Sequence, residues 1–493
     1  MDRNSLADAR TSFSHPLQIA ELSCGRGRGR IGITLCPGKR QCDASTGVWE
    51  RDLDIDLDLV VRWGASAVVT LIEDHELRAL GVERLGTAVR ERHMDWFHLP
   101  VRDVSVPGAD LEEQWAVMGP NLRSRLRQGF DILVHCKGGL GRAGTIAARL
   151  MAELGTEPAE AIRQIRLVRP GAIETPEQEV WVLRQTAIPQ DYPPADAAAV
   201  KSRARGSMIG LAVGDALGTT LEFAPRDSYP LLTDMVGGGP FNLKPGEWTD
   251  DTSMALALGD SLASCGYLDE YNVMIRWERW RDDGAYSSNG RCFDIGATVS
   301  AALDRWCDTA NPIAGSTNPA TAGNGSLMRI APVSIRYWDK PSQIRDVAAR
   351  QSMMTHAAPE AVAACAIYAE MIGAAISGRS LGKILRASGE GLAGSISGIV
   401  GGSWRGKARQ DIHTSGYVAH SLEAALWCRG RTGSFSEAVL TAANLGEDAD
   451  TTAAITGQLA GAVYGEEAIP LAWRQRIVGH DMIRDMADRL LLR

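Results

Sequence analysis

Three prolines occur within residues 189–194, and they divide the chain more clearly than any other feature of the sequence. Proline cannot continue a helix and favours an extended path, so this segment predicts a linker. A chain of 493 residues is also long for a single hydrophobic core, because domains usually hold about 100–200 residues. We therefore predict a first domain at 1–190, a Pro/Ala-rich linker at 191–200 and a second domain at 201–493.

Short apolar runs alternate with helical patterns before the linker, and this order predicts an α/β domain with a mostly parallel central sheet. The segment Asp52–Asp58 carries an acid at every second position, which indicates an exposed surface segment with Leu and Ile on its packing face. The predicted strands are Ile31–Leu35, Ala67–Ile72, Trp96–Val101 and Ile132–His135. The predicted helices include Leu111–Arg127, Thr145–Leu154 and Pro158–Val168.

The chain after the linker is rich in Ala, Leu and Gly and has long helical patterns without a ladder of strands, which predicts an all-α domain. A glycine pattern at Gly206–Gly214 is similar to a dinucleotide-binding turn. No strand precedes this pattern, so we set that interpretation aside. The clearest predicted helices are Thr252–Cys265, Pro359–Ser377, Leu422–Cys428 and Thr451–Tyr464.

Charge and cysteine content narrow the class of protein. The formal net charge is −8, so the chain lacks the basic excess of a nucleic-acid-binding protein, and we expect no nucleic-acid partner. Nine cysteines are scattered without a CxxC pair, which argues against a disulfide framework or a zinc site and favours a reducing compartment. The N-terminus is polar and no run of about 18 apolar residues is evident, so we expect a cytoplasmic protein with no membrane partner.

A cysteine and an arginine flank a glycine-rich turn between a predicted strand and a predicted helix. Glycines let successive backbone N–H groups turn inward around one anion, and a helix opening at Gly144–Thr145 would add its positive end. Such a field stabilises the thiolate of Cys136 as a nucleophile, while Arg142 can hold two phosphoryl oxygens. His135 either orients this turn or is a core histidine. The predicted phosphate cradle comprises Lys137, Gly138, Gly139, Leu140 and Gly141.

These residues resemble the dual-specificity and tyrosine phosphatase superfamily, in particular its kinase-associated phosphatase (cyclin-dependent kinase inhibitor 3) branch, over residues 30–185. The resemblance implies a phosphocysteine mechanism without a cofactor and places the general acid at Asp103, with Asp110 in reserve. One residue departs from the pattern: Ala143 stands where the superfamily usually has a Ser or Thr that helps the thiolate leave. Supporting segments are Ile31–Gly38, Trp63–Ile72 and His98–Asp103.

Two acidic clusters lie some two hundred residues apart, and each precedes a helical pattern. Either cluster alone is typical of a helix N-cap. Two clusters with the same Asp/Thr composition instead suggest oxygen ligands for hard divalent cations, Mg²⁺ or Mn²⁺. The candidate metal ligands are Thr249, Asp250, Asp251, Asp448, Asp450 and Thr451.

The surrounding segments resemble the ADP-ribosylglycohydrolase family, typified by dinitrogenase-reductase-activating glycohydrolase, over residues 204–465. The resemblance implies that the six candidate ligands bind a pair of cations and that Glu222 is a mobile active-site glutamate. It also implies that Gly323, Asn324, Gly325 and Ser326 lie along the ribose and diphosphate, with His356 near the nucleotide end. The matching segments are Gly206–Gly218, Leu221–Phe223, Trp248–Ser253, Gly323–Arg329, Thr355–His356 and Glu447–Thr451.

Both resemblances together predict a bifunctional hydrolase. Its expected partners are an ADP-ribosylated protein or small molecule and a phosphorylated protein or small molecule. An alternative keeps one catalytic domain and makes the other a binding module, either an ADP-ribose reader or a phosphate reader. In a third hypothesis both domains act on one small molecule, such as a phosphorylated ADP-ribose derivative.

Overall fold

The computed structural model describes residues 9–44, 46–189, 195–387, 389 and 391–492. The chain forms two compact units, Met1–Gln190 and Asp191–Arg493. Residues 191–194 of the predicted linker lie outside the described residues. The last part of the predicted linker belongs to a helix, because the first helix of the second unit begins at Ala197 with Asp196 as its N-cap.

The first unit is built on a five-stranded sheet with the strand order β1-β2-β7-β5-β6. All neighbouring strands are parallel except for β1, which pairs antiparallel with β2 at one edge. The predicted mostly parallel sheet is therefore confirmed. The strands, with a separate two-stranded hairpin of β3 and β4, are β1 Ala20–Ser23, β2 Arg30–Leu35, β3 Arg40–Gln41, β4 Trp49–Glu50, β5 Ala65–Thr70, β6 Asp95–His98 and β7 Asp131–Cys136.

Helices flank this sheet and connect its parallel strands. They are α1 Leu53–Trp63, α2 Asp74–Ala79, α3 Leu85–Glu91, α4 Ala109–Arg127, α5 Gly141–Glu153, α6 Pro158–Val168 and α7 Pro176–Leu183. Helix α5 begins three residues before the predicted opening at Gly144, because the amide of Gly144 already donates to the Leu140 carbonyl at 2.8 Å. Leu35 and Cys136 are register partners, so the loops that follow β2 and β7 emerge side by side.

The second unit is helical, as predicted, and β-structure among its described residues is limited to isolated bridges. Its α-helices are α8 Ala197–Gly218, α9 Asp250–Cys265, α10 Glu270–Asp283, α11 Ala297–Thr309, α12 Ala331–Arg336, α13 Pro341–Met353, α14 Pro359–Ile376, α15 Leu381–Ile384, α16 Ser395–Gly401, α17 Val418–Arg431, α18 Phe435–Ala443, α19 Ala449–Tyr464, α20 Leu471–Arg476 and α21 His480–Leu491. Among the described residues, α14 is long and apolar enough to cross a membrane by length and composition alone. It is 61% buried inside the unit, so this is weak evidence for a membrane span.

Helices α8 and α19 pack backbone against backbone at the centre of this unit. Four glycines spaced four residues apart face α19, and a Cβ atom on any of them would lie 2.2–2.4 Å from a backbone carbonyl oxygen of α19. Only glycine permits this separation, since real Cβ atoms essentially never come within 3.0 Å of another heavy atom. The close approach fixes the start of α19, which carries Asp450, against the end of α8. The four glycines are Gly206, Gly210, Gly214 and Gly218.

Candidate active sites

The thiol of Cys136 lies at the end of β7, inside the glycine-rich turn. Its Sγ accepts a hydrogen bond from the backbone N–H of Gly139 at 3.3 Å. Gly139 has a φ of +70°, and a Cβ there would lie 2.4 Å from the carbonyl carbon of Thr34, so glycine is required on both grounds. The turn therefore wraps around the sulfur and directs a backbone N–H dipole at it.

Arg142 is held in the first turn of α5 by a carboxylate on α2, the helix that follows β5. Its two terminal nitrogens donate to the two oxygens of Glu76 at 2.6 and 2.9 Å, and Nη1 also donates to the Val101 carbonyl at 2.9 Å. Burial alone would raise the pKa of Glu76, but the hydrogen bonds from Arg142 lower it, so Glu76 stays ionised. Sequence reasoning missed Glu76. The available signal was its position shortly after β5, whose carboxyl end lies at the same sheet edge as that of β7.

The predicted general acid Asp103 lies in the same cavity as Cys136, and its Oδ1 is 3.0 Å from Nη2 of Arg142. Its side chain is 57% exposed, which leaves room for a leaving group to approach. The reserve candidate Asp110 is exposed near the start of α4 and does not line this cavity. His135 is fully buried, its Nε2 lies 2.8 Å from Thr70 Oγ1, and burial lowers its pKa to about 3. These features favour the core-histidine interpretation.

The cavity above Cys136 has a volume of about 780 Å³. Three cradle residues line it, namely Lys137, Gly138 and Leu140. Arg169, which also lines the cavity, supports the cradle by donating to the carbonyls of Gly138 and Gly139, each at 3.0 Å. The backbone amide of the remaining cradle residue, Gly141, donates to the carboxylate of Glu174 at 2.8 Å, so this amide already has an acceptor within the protein.

In the second unit, the two acidic clusters meet at the facing ends of α9 and α19. Thr249 Oγ1 lies 3.4 Å from Asp450 Oδ2, and Thr451 Oγ1 lies 3.4 Å from Asp251 Oδ2. All six candidate ligands are buried or nearly so. The fold therefore joins residues that are some two hundred positions apart in the sequence.

The chemistry of this acidic cluster fits divalent cations. Burial raises the pKa values of Asp250 and Asp251 well above the usual range, with a further contribution from neighbouring carboxylates. The Oδ1 atom of Asp251 is buried without any hydrogen-bond partner among the described residues. Such a cluster needs protons or cations between its oxygens, and carboxylate and hydroxyl oxygens are the ligands that Mg²⁺ and Mn²⁺ prefer.

Asp215 on α8 also belongs to this cluster, although sequence reasoning did not assign it a role. Its Oδ1 accepts from the amide and hydroxyl of Thr249, both at 2.9 Å. Its Oδ2 accepts from the amide and hydroxyl of Thr252 at 3.1 and 2.6 Å. These four donors occupy all four lone-pair positions of the carboxylate, so we assign Asp215 to positioning the start of α9 rather than to binding a cation.

Glu222 lies above the cluster and is held by the start of α19. Its Oε2 accepts from the amides of Ala449 and Asp450 at 2.8 and 3.3 Å. Burial, reinforced by the charge of Asp450, raises the pKa of Glu222 to about 12. The predicted active-site glutamate therefore lines the same cavity as the acidic cluster and keeps its proton at neutral pH when no cation is bound.

The predicted ribose-side loop lines this cavity through three of its four residues, namely Gly323, Asn324 and Gly325. Asn324 Nδ2 donates to Asp448 Oδ2 at 2.6 Å and so joins the loop to the acidic cluster. The fourth residue, Ser326, is placed differently from the prediction. Its side chain does not line the cavity, because its hydroxyl turns into the core and lies 2.8 Å from the hydroxyl of Ser352.

The ring of His356 packs against the glycine loop, and a Cβ on Gly325 would lie 2.8 Å from this ring. Arg329 Nη2 donates to Thr355 Oγ1 at 2.7 Å, and that hydroxyl is 2.8 Å from His356 Nδ1. Because the guanidinium can only donate, we assign the hydroxyl proton of Thr355 to His356 Nδ1, which leaves a proton on Nε2. Burial lowers the pKa of His356 to about 3, so the ring is a neutral hydrogen-bond donor.

Comparisons with protein families match the two units to two different families. Residues 196–493 match the model of the ADP-ribosylglycohydrolase family. This chain belongs to that family. Residues 45–182 match the model of a "Swiss Army Knife protein, DSP-PTPase phosphatase domain". The predicted pairing of a phosphatase domain with an ADP-ribosylglycohydrolase domain is therefore confirmed.

Relatives of the glycohydrolase unit are known from bacteria. The chain is 45% identical over 288 residues to the ADP-ribosylarginine hydrolase Tri1 of Serratia proteamaculans (strain 568), covering 58% of this chain and 78% of that protein. It is 33% identical over 301 residues to the ADP-ribosyl-[dinitrogen reductase] glycohydrolase of Rhodospirillum rubrum, covering 59% and 96%.

Solved structures resemble each unit. An ADP-ribosylglycohydrolase-related protein complex is 37% identical, covers 60% of this chain and 98% of its own, and has a TM-score of 0.54. A kinase associated phosphatase structure is 26% identical, covers 34% of this chain and 92% of its own, and has a TM-score of 0.30.

The glycohydrolase cavity contains one more carboxylate that sequence reasoning missed. Asp294 lines the cavity with Glu222, and it has a φ of +60°, which is rare for a residue other than glycine. Burial, followed by the charges of Asp450 and Asp250, raises the pKa of Asp294 to about 11. No local pattern marks this residue, because it lies in an irregular segment between α10 and α11.

Proposed function

We propose that this chain is a bifunctional hydrolase that releases ADP-ribose from a modified target and hydrolyses a phosphomonoester. The observation that carries the first activity is the buried acidic cluster, which shares one cavity with Glu222 and the glycine loop at 323–325. The second activity rests on Cys136 and Arg142, which share one cavity with Asp103.

The arginine linkage is the proposed target of the glycohydrolase unit. Relatives at 45% and 44% identity are named ADP-ribosylarginine hydrolases. A guanidinium pairs well with a carboxylate in fork geometry. Cations in the acidic cluster would neutralise the charges of Asp450 and Asp250 that hold the proton on Asp294, so that Asp294 can supply a carboxylate in the cavity beside Glu222. We therefore assign Asp294 to binding the modified guanidinium group.

In this proposal the six candidate ligands would hold two divalent cations, which would orient the ribose hydroxyls and activate a water molecule. The water oxygen bonds to C1″ of the ribose while the C1″–N bond breaks, and the proton that this water releases restores Glu222 after Glu222 has given up its own. Glu222 keeps its Oε2 on two backbone amides, so its Oε1 is the atom that can hand a proton to the departing nitrogen. The neutral His356 would donate its Nε2–H to the nucleotide part of the substrate, beside the glycine loop.

In the phosphatase unit, Cys136 Sγ attacks phosphorus while the bond to the leaving oxygen breaks, and Asp103 supplies the proton that this oxygen needs. Arg142 binds two of the remaining phosphoryl oxygens. Water then attacks the phosphocysteine, the S–P bond breaks, and Asp103 takes the proton from that water. Ala143 provides no hydroxyl to stabilise the departing thiolate, which favours a second candidate function, a phosphate-binding module with slow turnover.

Both activities can be tested on one purified chain. Peptides with arginine- or serine-linked ADP-ribose and an aryl phosphate would be offered with Mg²⁺ or Mn²⁺ and with a chelator. We expect release from the arginine linkage only with metal, and aryl phosphate hydrolysis under both conditions. Cys136→Ser should abolish phosphate hydrolysis while phosphate binding persists, because the cradle amides do not depend on the sulfur. Hydrolysis by Cys136→Ser at the parent rate would exclude the thiolate mechanism.

The linkage assignment has its own test. Asp294→Asn removes the carboxylate but keeps its size, so it should lower release from the arginine linkage by about tenfold or more, as expected when a charge-assisted contact is lost. Release from the serine linkage should fall less. Asp308→Asn, an exposed aspartate on α11, is the matched control. Equal losses on both linkages would assign Asp294 to the shared ribose chemistry instead.

A further inference from the structure

A buried lysine lies at the edge of the phosphatase cavity without an acidic partner. Lys39 is only 6% exposed and lines the cavity with Cys136. Among the residues that the structure describes, no carboxylate forms an ion pair with its ammonium group, which lies over the ring of Trp49 at 5.6 Å from the ring centre. An unpaired buried charge is costly, and burial accordingly lowers the pKa of Lys39. The fold keeps this cation where a ligand can reach it.

The backbone holds Lys39 firmly in this place. It follows β2, whose last residue is the register partner of Cys136, so its turn lies beside the cradle. The amide of Lys39 donates to Cys36 O at 3.3 Å, and its own carbonyl accepts from Arg51 N at 3.1 Å. These contacts tie the lysine to the base of the β3–β4 hairpin.

Other basic side chains also line this cavity. Arg10 stacks over Trp49 at 5.3 Å and, among the described residues, also lacks an acidic partner. Among the described residues of this wall, lysine and arginine side chains outnumber acidic ones by six to three. Two of the six, Arg51 and Arg142, are paired with Asp56 and Glu76.

We infer that this cavity contains a second anion site centred on Lys39 and accepts a small-molecule phosphomonoester that carries a second phosphate group. The inference rests on the proposed phosphatase function and specifies its substrate class. One phosphate would occupy the cradle around Cys136, and the second would pair with Lys39. A cavity of about 780 Å³ is the size of a small-molecule site. Because Lys39 is buried, its partner must enter the cavity together with the reacting phosphate, which a phosphate elsewhere on a protein surface cannot do.

The test measures binding to the full-length Cys136→Ser chain, so it does not depend on turnover. Calorimetric titrations would compare three pairs of probes, namely fructose 1,6-bisphosphate with fructose 6-phosphate, adenosine 3′,5′-bisphosphate with adenosine 5′-monophosphate, and pyrophosphate with orthophosphate. We expect at least one bisphosphate to bind about tenfold tighter or better than its partner, as one desolvated charge-assisted contact provides. If every bisphosphate binds no tighter than its monophosphate, the second site does not exist.

A second set of variants assigns the preference to Lys39. Lys39→Met in the same background should reduce the bisphosphate preference about tenfold, while Lys39→Arg should retain most of it. Lys244→Met, an exposed lysine in the other unit, is the matched control. Equal weakening of both members of a pair would assign Lys39 to the Cys136 site alone and overturn the proposal. A doubly phosphorylated peptide that binds tighter than every small bisphosphate would overturn the substrate class.

These outcomes are distinct from a failure of the proposed phosphatase function. If neither monophosphates nor bisphosphates bind, and the chain with Cys136 hydrolyses no aryl phosphate, then the cradle itself has been misassigned. If monophosphates bind and are hydrolysed but no bisphosphate is preferred, only the Lys39 site is wrong. Should Lys39→Met not fold, the comparison of probes on the Cys136→Ser chain still decides the question.

Discussion

Arg142 contacts two carboxylates with different environments, and this difference separates their roles. Glu76 is 6% exposed and binds both terminal nitrogens of the guanidinium, so it fixes the orientation of the fork. Asp103 touches one nitrogen at 3.0 Å and its side chain is 57% exposed. A group that donates a proton to a leaving oxygen must be reachable by substrate, so Asp103 is suited to acid catalysis and Glu76 to positioning.

At this scale we predict that Asp103→Asn slows the hydrolysis of an alkyl phosphate far more than that of an activated aryl phosphate. A poor leaving group needs the proton in the transition state, whereas a good one leaves without it, and general acids contribute about 10²–10⁴-fold. Steady-state rates on both substrates measure the difference, with Asp110→Asn as the matched control. Equal losses on the two substrates, or a larger loss in Asp110→Asn, would move the acid role away from Asp103.

Single residues also show where sequence reasoning stops. The cradle residues could be predicted because the motif is local and continuous from Cys136 to Arg142. Asp56 was predicted to be exposed, yet it is 1% exposed and binds Arg51 and the Gly38 amide. The alternation of acidic and apolar residues suggested an exposed segment. In the helix α1, however, the repeat is 3.6 residues, and the side chain of Asp56 faces the interior. Partners that come from distant segments cannot be read from a local pattern.

At the scale of elements, the packing of α8 against α19 explains the glycine pattern that resembles a nucleotide-binding turn. The sequence shows the spacing of four residues, but only the structure shows that a second helix fills the groove it creates. This pair also builds the acidic cluster, because Asp215, which positions the start of α9, lies on α8 and the candidate ligand Asp450 lies on α19. The helix bounds could be predicted to within a few residues, whereas the pairing of helices could not, since it depends on contacts between residues more than two hundred positions apart.

We predict that Gly214→Ala destabilises the second unit and weakens metal binding. A Cβ at this position would lie 2.2 Å from the Ala453 carbonyl oxygen, so the helices must separate. Overpacking of this kind costs about 1–3 kcal/mol, which lowers the melting temperature by several degrees. Calorimetry and metal analysis measure the two effects. The control is Gly398→Ala on α16, where an added Cβ meets nothing within 4 Å. An unchanged melting temperature in Gly214→Ala would mean that the helices are not in such close contact.

In the whole molecule, the proposed reactions of the two units depend on different chemical groups. The cradle in the first unit needs a thiolate and backbone amides, while the acidic cluster in the second needs cations to balance its charge. We therefore predict that chelation stops ADP-ribose release and leaves aryl phosphate hydrolysis intact, and that Mg²⁺ or Mn²⁺ restores the first activity.

Asp448→Ala or Asp450→Ala should mimic chelation, and a metal assay should find fewer ions per chain. Release that survives both exhaustive chelation and Asp450→Ala would exclude a metal-dependent mechanism. A protein that binds cations and ADP-ribose but releases nothing from any linkage would be a reader of ADP-ribose.

Removal of the cations should also make the stability of the second unit depend on pH. Burial and the charge of Asp450 raise the pKa of Asp448 from 3.8 to about 7, so the folded state holds a proton that the unfolded state has released. The stability contributed by that proton is complete below the unfolded pKa and is lost as the pH rises through the folded value. The chelated protein should therefore melt several degrees lower at pH 8 than at pH 5.5, measured by calorimetry on the transition that Asp450→Ala alters. With Mg²⁺ or Mn²⁺ bound, the cations replace the protons and this decline should vanish. A chelated protein that becomes more stable as the pH rises over this range would show that its carboxylates are ionised in the folded state without metal, contrary to the charge balance on which the cation site rests.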